Sequence, residues 1–309
     1  MAHLFRQTPL EPNDWEILIV DNASTDNTAE FAINVLEQSA GSTAAPSFRV
    51  LTEPELGLSN ARKRGFREAS GEIVCFLDDD NWVGDSWLQS VHTIFTEHPD
   101  VGAAGGPISE VLETEPPPNW FESFKGNFTI WSPRNSPGYW EQPLCGAGLC
   151  VRRSAWQQLT AHGFDFMLTD RKGNNLSSGG DFELCYALML SGWRLWYDPA
   201  LHIRHWMPSE RITWQNLKRL RKGYGAQSVV FDAYTAPRTP SWNKEVLVAG
   251  KSLLIALLRT ATSRQQRRSQ QLLAESQKGR LLQLLKDRSR YRERYIRIQS
   301  APWRKTQVN

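Results

Sequence analysis

Apolar and polar positions follow two rhythms over the first hundred residues. WEILIV (15–20) is an apolar run of strand length. The polar stretch DNASTDNT (21–28) reads as a turn leading into a helix over residues 26–39, with Ser24 or Thr25 as cap. FRVLT (48–52) is a second strand. LSNARKRGFREA (58–69) has helical spacing, with Ser59 as a cap. Residues 72–77 form a third strand and residues 87–98 a further helix. Strands alternating with helices, with polar residues gathered at the strand ends, predict a parallel α/β sheet. Ligands of such sheets bind beyond the carboxyl ends of the strands, and Asp21, Asp78, Asp79 and Asp80 all lie at such ends.

The rhythm is lost between Gly102 and Trp140, where PPP (116–118) and many aromatics predict an irregular, partly extended segment. LCGAGLCVR (144–152) is short and Gly-rich, and Ser154 is placed to cap a helix through Thr160. Asp181 stands before a helix that stops at Ser191-Gly192, and Arg194 to Tyr197 is a strand. VLVAGKSLLIALL (246–258) is apolar but too short to span a bilayer. Residues 264–299 predict a long helix in which leucines sit among many arginines.

Composition sharpens the outline. The chain has 309 residues, enough for one large domain with an appendage, and no secretory signal is visible. Its four cysteines (Cys75, Cys145, Cys150, Cys185) form no C-x-x-C pair and sit among apolar neighbours, as reduced thiols of a cytoplasmic protein do. The net charge of +3 hides an asymmetry: 15 Lys/Arg face three Asp/Glu from Lys251 onward, against 21 basic and 30 acidic residues before it. The basic tail calls for an anionic partner, first of all lipid head groups. Nucleic acid is not expected, because the tail lacks the aromatic interleaving of single-strand binders and any groove-reading module.

The triple carboxylate of FLDDDNWVGDSWL (76–88) needs positive compensation. Hard Mg²⁺ or Mn²⁺ is the natural candidate, and a polar turn capping the next helix the plainer one. Read with VDNASTDNT (20–28), ELGLSNARKRG (55–65), GAGLCVRR (146–153), GGDFELCYALMLSGWRLWYDP (179–199) and HWMPSER (205–211), this stretch resembles a family 2 glycosyltransferase. The six motifs cover residues 15–230 in the expected order.

The resemblance implies a Rossmann-like, mostly parallel sheet flanked by helices (GT-A-like), a transferase domain over residues 1–235 and a basic helical extension over 236–309. It implies an enzyme that moves a sugar from a nucleotide-sugar donor, UDP-linked by preference, to a glycan or lipid-linked acceptor. The implied setting is assembly of polysaccharide or cell-surface glycan. Asp80 most resembles the direct metal ligand, Asp78 faces ribose or water ligands, and Asp79 holds the variable position. Asp21 matches the carboxylate that reads the nucleoside, though it also suits a turn with Asn22. Arg62 matches an arginine near base or phosphates, whereas Lys63 stands where the family has asparagine. His205 matches a histidine near metal and diphosphate. Asp181 matches the general base, a role compatible with capping its helix, although Gly180 replaces the usual acidic neighbour. Trp120, Gly146 and Glu183 are expected on the acceptor side, and Trp131 and Trp140 could also stack on sugars.

One base and a leaving-group metal suit single in-line displacement with inversion. Gly180 and the absence of the family's opening strand keep a non-catalytic nucleotide- or glycan-binding role open. Residues 1–8 look like the tail of the helix after that strand, so two neighbouring strands are expected to expose unpaired edges. The tail helix is expected either to pack against the body or to lie on the cytoplasmic face of an anionic membrane.

Overall fold

The computed structural model describes residues 3–7, 14–39, 46–168, 179–263 and 265–305. The chain runs β1 (Glu16–Asp21), α1 (Thr28–Ser39), β2 (Ser47–Thr52), α2 (Leu58–Glu68), β3 (Ile73–Phe76), β4 (Asn81–Val83) and α3 (Trp87–Glu97). It continues with β5 (Val101–Gly105), β6 (Ile108–Leu112), α4 (Phe121–Phe124), β7 (Gly138–Trp140), β8 (Leu149–Arg152), α5 (Arg153–Ala161), α6 (Gly180–Leu190), β9 (Arg194–Tyr197) and β10 (Ile203–Met207). Four helices close it: α7 (Trp214–Thr235), α8 (Trp242–Thr262), α9 (Arg267–Lys286) and α10 (Arg290–Gln299).

The strands make three sheets: β1-β2, β4-β10-β6 and β3-β8-β5-β9-β7. The α/β class holds, with mixed sheets: β1/β2, β5/β9 and β6/β10 pair in parallel, and the other pairs are antiparallel. β5 is one of the elements that periodicity missed. Its sequence VGAAG has no polar alternation because every residue is buried. Its small side chains admit close neighbours: a Cβ at Gly102 would stand 2.7 Å from Trp193 Cβ, and one at Gly106, just past the strand, 2.3 Å from the Leu201 carbonyl oxygen. The segment from Gly102 to Trp140 is thus ordered into β5, β6, α4 and β7.

Three expected caps move. Ser59 lies inside α2 behind Gly57, and its hydroxyl donates to the Leu168 carbonyl at 2.8 Å. Ser154 lies inside α5, which begins at Arg153. At α1 it is the Asp26 carboxylate that accepts from the Thr28 amide, at 3.1 Å. The long basic helix of the tail is broken into α9 and α10; Arg264 falls outside the described residues.

β1 and β3 do not pair with each other, and each is an edge strand of its own sheet. The space between them opens into a cleft of about 2480 Å³ lined by Ile17, Ile19, Val74 and Phe76. Residues 3–6 form a turn, with His3 Nδ1 3.1 Å from the Val83 carbonyl and Gln7 accepting from the Leu88 amide at 2.9 Å.

The closing helices pack back on the body. α7 and α9 cross at glycines: a Cβ on Gly225 would stand 1.7 Å from the Ser276 carbonyl oxygen, and one on Gly279 1.9 Å from that of Lys222. Arg280 of α9 ties Asp232 of α7 at 2.8 Å and Glu245 of α8 at 2.7 Å. Ile298 of α10 and Trp303 belong to the core that holds Leu149, Leu184 and Leu195.

Candidate active site

Asp21, Arg62, Asp78, Asp79, Asp80, Gly146, Asp181 and His205 all line the same cleft. The fold brings them together from strand ends, the first turn of α6 and the face of α2.

At the end of β1, Asp21 Oδ1 accepts from the Ser24 amide at 3.2 Å, which closes the turn. Asn22 donates to the carbonyls of Glu53 and Glu55 and accepts from the Gly57 amide at 2.8 Å. This amide side chain joins the end of β1 to the start of α2. Gly57 meets it with φ 133, in a region that favours glycine.

After β3 the chain turns through Asp78 and Asp79, both exposed, into β4. Asp80 points inward. Its carboxylate lies 2.7 Å from Arg211 Nη1 and 3.3 Å from His205 Nε2, and accepts from Asn81 at 3.0 Å. β10 supplies His205 because it pairs antiparallel with β4, in register with Asn81. Burial pushes the Asp80 carboxyl up, but hydrogen bonds and charge from His205 and Arg211 outweigh it and hold the group below its usual range. His205 Nδ1 is buried with no hydrogen-bond partner among the described residues.

Among those residues no three His, Cys, Asp or Glu side chains form a ready cage for a metal. The donor set still suits Mg²⁺ or Mn²⁺, which take one or two carboxylates and complete their shells with water and substrate phosphate. Asp80 is already matched to positive charge, and Asp78 stands two residues away at the same turn.

The second cluster surrounds Gly146. Its amide donates to Asp181 Oδ2 at 2.6 Å. A Cβ there would stand 2.7 Å from Arg62 Nη2 and 2.8 Å from that Asp181 oxygen, so only glycine leaves room for both groups at this point. Asp181 is not the cap of α6. The cap position belongs to Gly179 at φ 112, and Asp181 occupies the first turn, where the helix N-terminus favours a carboxylate. Beside it, burial pushes the Cys145 thiol up to about 12, with the Asp181 charge adding, which keeps this thiol protonated near neutral pH.

Two expected acceptor-side residues stand elsewhere. Glu183 is fully buried and does not line the cleft. Its oxygens accept from the amides of Met167 and Leu168 at 2.8 and 2.9 Å and from Tyr234 Oη at 2.7 Å. Burial, then the Glu183 charge, push that phenol well above its ordinary value. Trp120 is buried with Phe121, Phe128 and Met207, its ring 5.4 Å from Trp214. Trp131 and Trp140 face the cleft instead, edge to face at 5.4 Å. Lys63 pairs with Asp165 at 3.2 Å. Sequence reasoning passed over Arg211 and Arg221, two further cleft guanidiniums. Arg211 lies within the quoted HWMPSER motif; Arg221, on α7, carried no motif.

The family model for glycosyl transferase family 2 matches residues 1–155. The pre-mycofactocin glycosyltransferase of Mycobacterium tuberculosis is 24% identical over 208 residues, 65% of this chain and 40% of that protein. An uncharacterized glycosyltransferase of Nostoc sp. is 36% identical over 90 residues, 29% of this chain and 26% of its own length. The chain thus spans well under half the length of these relatives. Among solved structures, GalNAc-T7 with UDP, GalNAc and Mn²⁺ aligns with a TM-score of 0.51 at 15% identity, over 94% of this chain and 54% of that one. That likeness concerns the fold.

Proposed function

We propose that this chain, which belongs to glycosyl transferase family 2, transfers a sugar from a nucleotide-sugar donor to a hydroxyl of a glycan or lipid-linked acceptor with inversion. The observation that carries the reading is the single cleft shared by two charged clusters: Asp80 with His205 and Arg211, and Asp181 held by the Gly146 amide. UDP is the favoured nucleotide, as in the GalNAc-T7 structure, and glycan assembly at a cytoplasmic surface is the proposed setting.

Asp21 and Arg62 bind the nucleotide side of the donor. Asp181 takes the proton from the acceptor hydroxyl as that oxygen bonds to the anomeric carbon. The bond from that carbon to the diphosphate breaks on the opposite face, and the nucleoside diphosphate leaves with the electron pair. Arg62 and Arg211 face the charge that develops there. Asp78 and Asp80 would hold a divalent cation, which when bound supplies Lewis-acid neutralisation of the diphosphate. The raised thiol of Cys145, beside Asp181, is a poor nucleophile at neutral pH, in keeping with single displacement.

The test is donor hydrolysis and transfer over a panel of nucleotide sugars with and without Mn²⁺. Asp181→Asn should lower turnover by about 10²–10⁴-fold while nucleotide affinity stays near the parent value. A second reading, a non-catalytic nucleotide or glycan binder, draws on the engagement of Asp80 by Arg211 and on Gly180. Metal-independent binding with no turnover by the parent would favour it and sink the first.

A further inference from the structure

Helix α8 is apolar on two opposite sides. Ala249 and Ala256 are fully buried, while α9 packs alongside. Of the 13 large apolar side chains exposed among the described residues, six lie on α8: Leu247, Val248, Leu254, Ile255, Leu257 and Leu258. At about 100° per residue, Leu247, Leu254 and Leu258 fall on one row directly opposite the two alanines. Lys244 and Lys251, both exposed, lie beside that row, and Arg259 ends it. No helix among the described residues is long and apolar enough to cross a membrane.

We infer that this outer face of α8 docks the protein on an anionic lipid surface, lying in the plane of the interface. The leucine row enters the boundary of the acyl chains, and the lysine stems reach up to phosphate head groups. Charge complementarity commits the face to lipid. The chain carries 15 Lys/Arg against three Asp/Glu from Lys251 onward, whereas the remainder is acidic. A two-fold pairing of two copies through this face would press Lys244 and Lys251 of both copies into one dry interface, a like-charge contact without compensation. A nucleic acid would meet the lysines but leave the leucines without apolar contact. On α9, Leu272 and Leu284 are buried, while Leu282 and Leu285 are exposed.

The experiment is flotation of the full chain with phosphatidylcholine vesicles, alone or mixed with phosphatidylglycerol. The parent should float with the mixed vesicles. The variant Leu247→Ser/Leu254→Ser/Leu258→Ser should lose binding by about tenfold or more, with an unchanged melting curve because these side chains touch little. Lys244→Gln/Lys251→Gln, which keeps the apolar row, should weaken binding to the anionic vesicles and leave binding to neutral ones as it was. Undiminished flotation of the leucine variant overturns the inference. So does a parent that fails to float and sediments as a dimer which the leucine variant dissociates. Neither Asp181 nor a metal enters this test, so its result and the turnover result stand apart.

Discussion

Gly146 is where a single methyl group decides the geometry of the cleft. Alanine there must displace either the Arg62 guanidinium or the Asp181 carboxylate, both within 3 Å of the added carbon. Gly146→Ala should therefore lower kcat by about 100-fold, the usual cost of a small misplacement, while the melting curve barely moves. Steady-state kinetics beside calorimetry would check it. Asp80 makes a pH-dependent prediction. Its carboxyl is held below the ordinary 3.8, with burial opposing His205 and Arg211. The lowered folded-state value means the ionised group stabilises the fold above the ordinary value and that this is lost as pH falls through the lowered one. Asp80→Asn should cost about 1–2 kcal/mol at pH 7, discounted because Arg211 is partly exposed, and progressively less as pH falls below the ordinary carboxylate range; urea titrations across that range would show it. Glu183→Ala, which strands two buried donors and the part-buried Met167 amide, should cost about 3 kcal/mol or more without changing acceptor preference.

At the scale of elements, the glycine crossing of α7 and α9 makes its own prediction. Gly279→Ala sets a methyl group against the Lys222 carbonyl and should destabilise the protein by about 1–3 kcal/mol, read as a lowered melting temperature. Stretches marked by an apolar run, helical spacing or flanking turn residues were legible: β1, β2, α2, β3, α3, α6 and β9 stand within a residue or two of their sequence-based bounds. β5 was not, because a strand buried on both faces with only Val, Gly and Ala shows no period. Capping positions were poorly legible for a different reason. Serine is a good cap by type, but Ser59 is used for a long-range bond to Leu168 and Gly57 takes the bend. In the cleft, the aspartates and Arg62 were legible from motif and strand ends. Arg211 becomes visible only once β10 lies beside β4, and Glu183 and Trp120 needed the packing of α7 and α4 to show where they are used.

Across the whole molecule, the cleft is bounded by β1 of one sheet and by β3 of another, which share no ladder. A nucleotide that touches Asp21 on the first side and Asp78 or Arg62 on the other would bridge them. UDP with Mn²⁺ should therefore stabilise the fold by about 2.7 kcal/mol at a hundredfold excess over Kd, seen as a raised melting temperature. Asp21→Ala and Asp78→Ala should each reduce the shift.

The facing borders of β1 and β3 have a practical corollary. Each presents amide and carbonyl groups along an apolar stretch, which is the template that fibrillar and amorphous precipitates extend. Solutions of the protein should scatter light increasingly as concentration rises, and Ile19→Lys, placing a charge on one of those borders, should delay the onset.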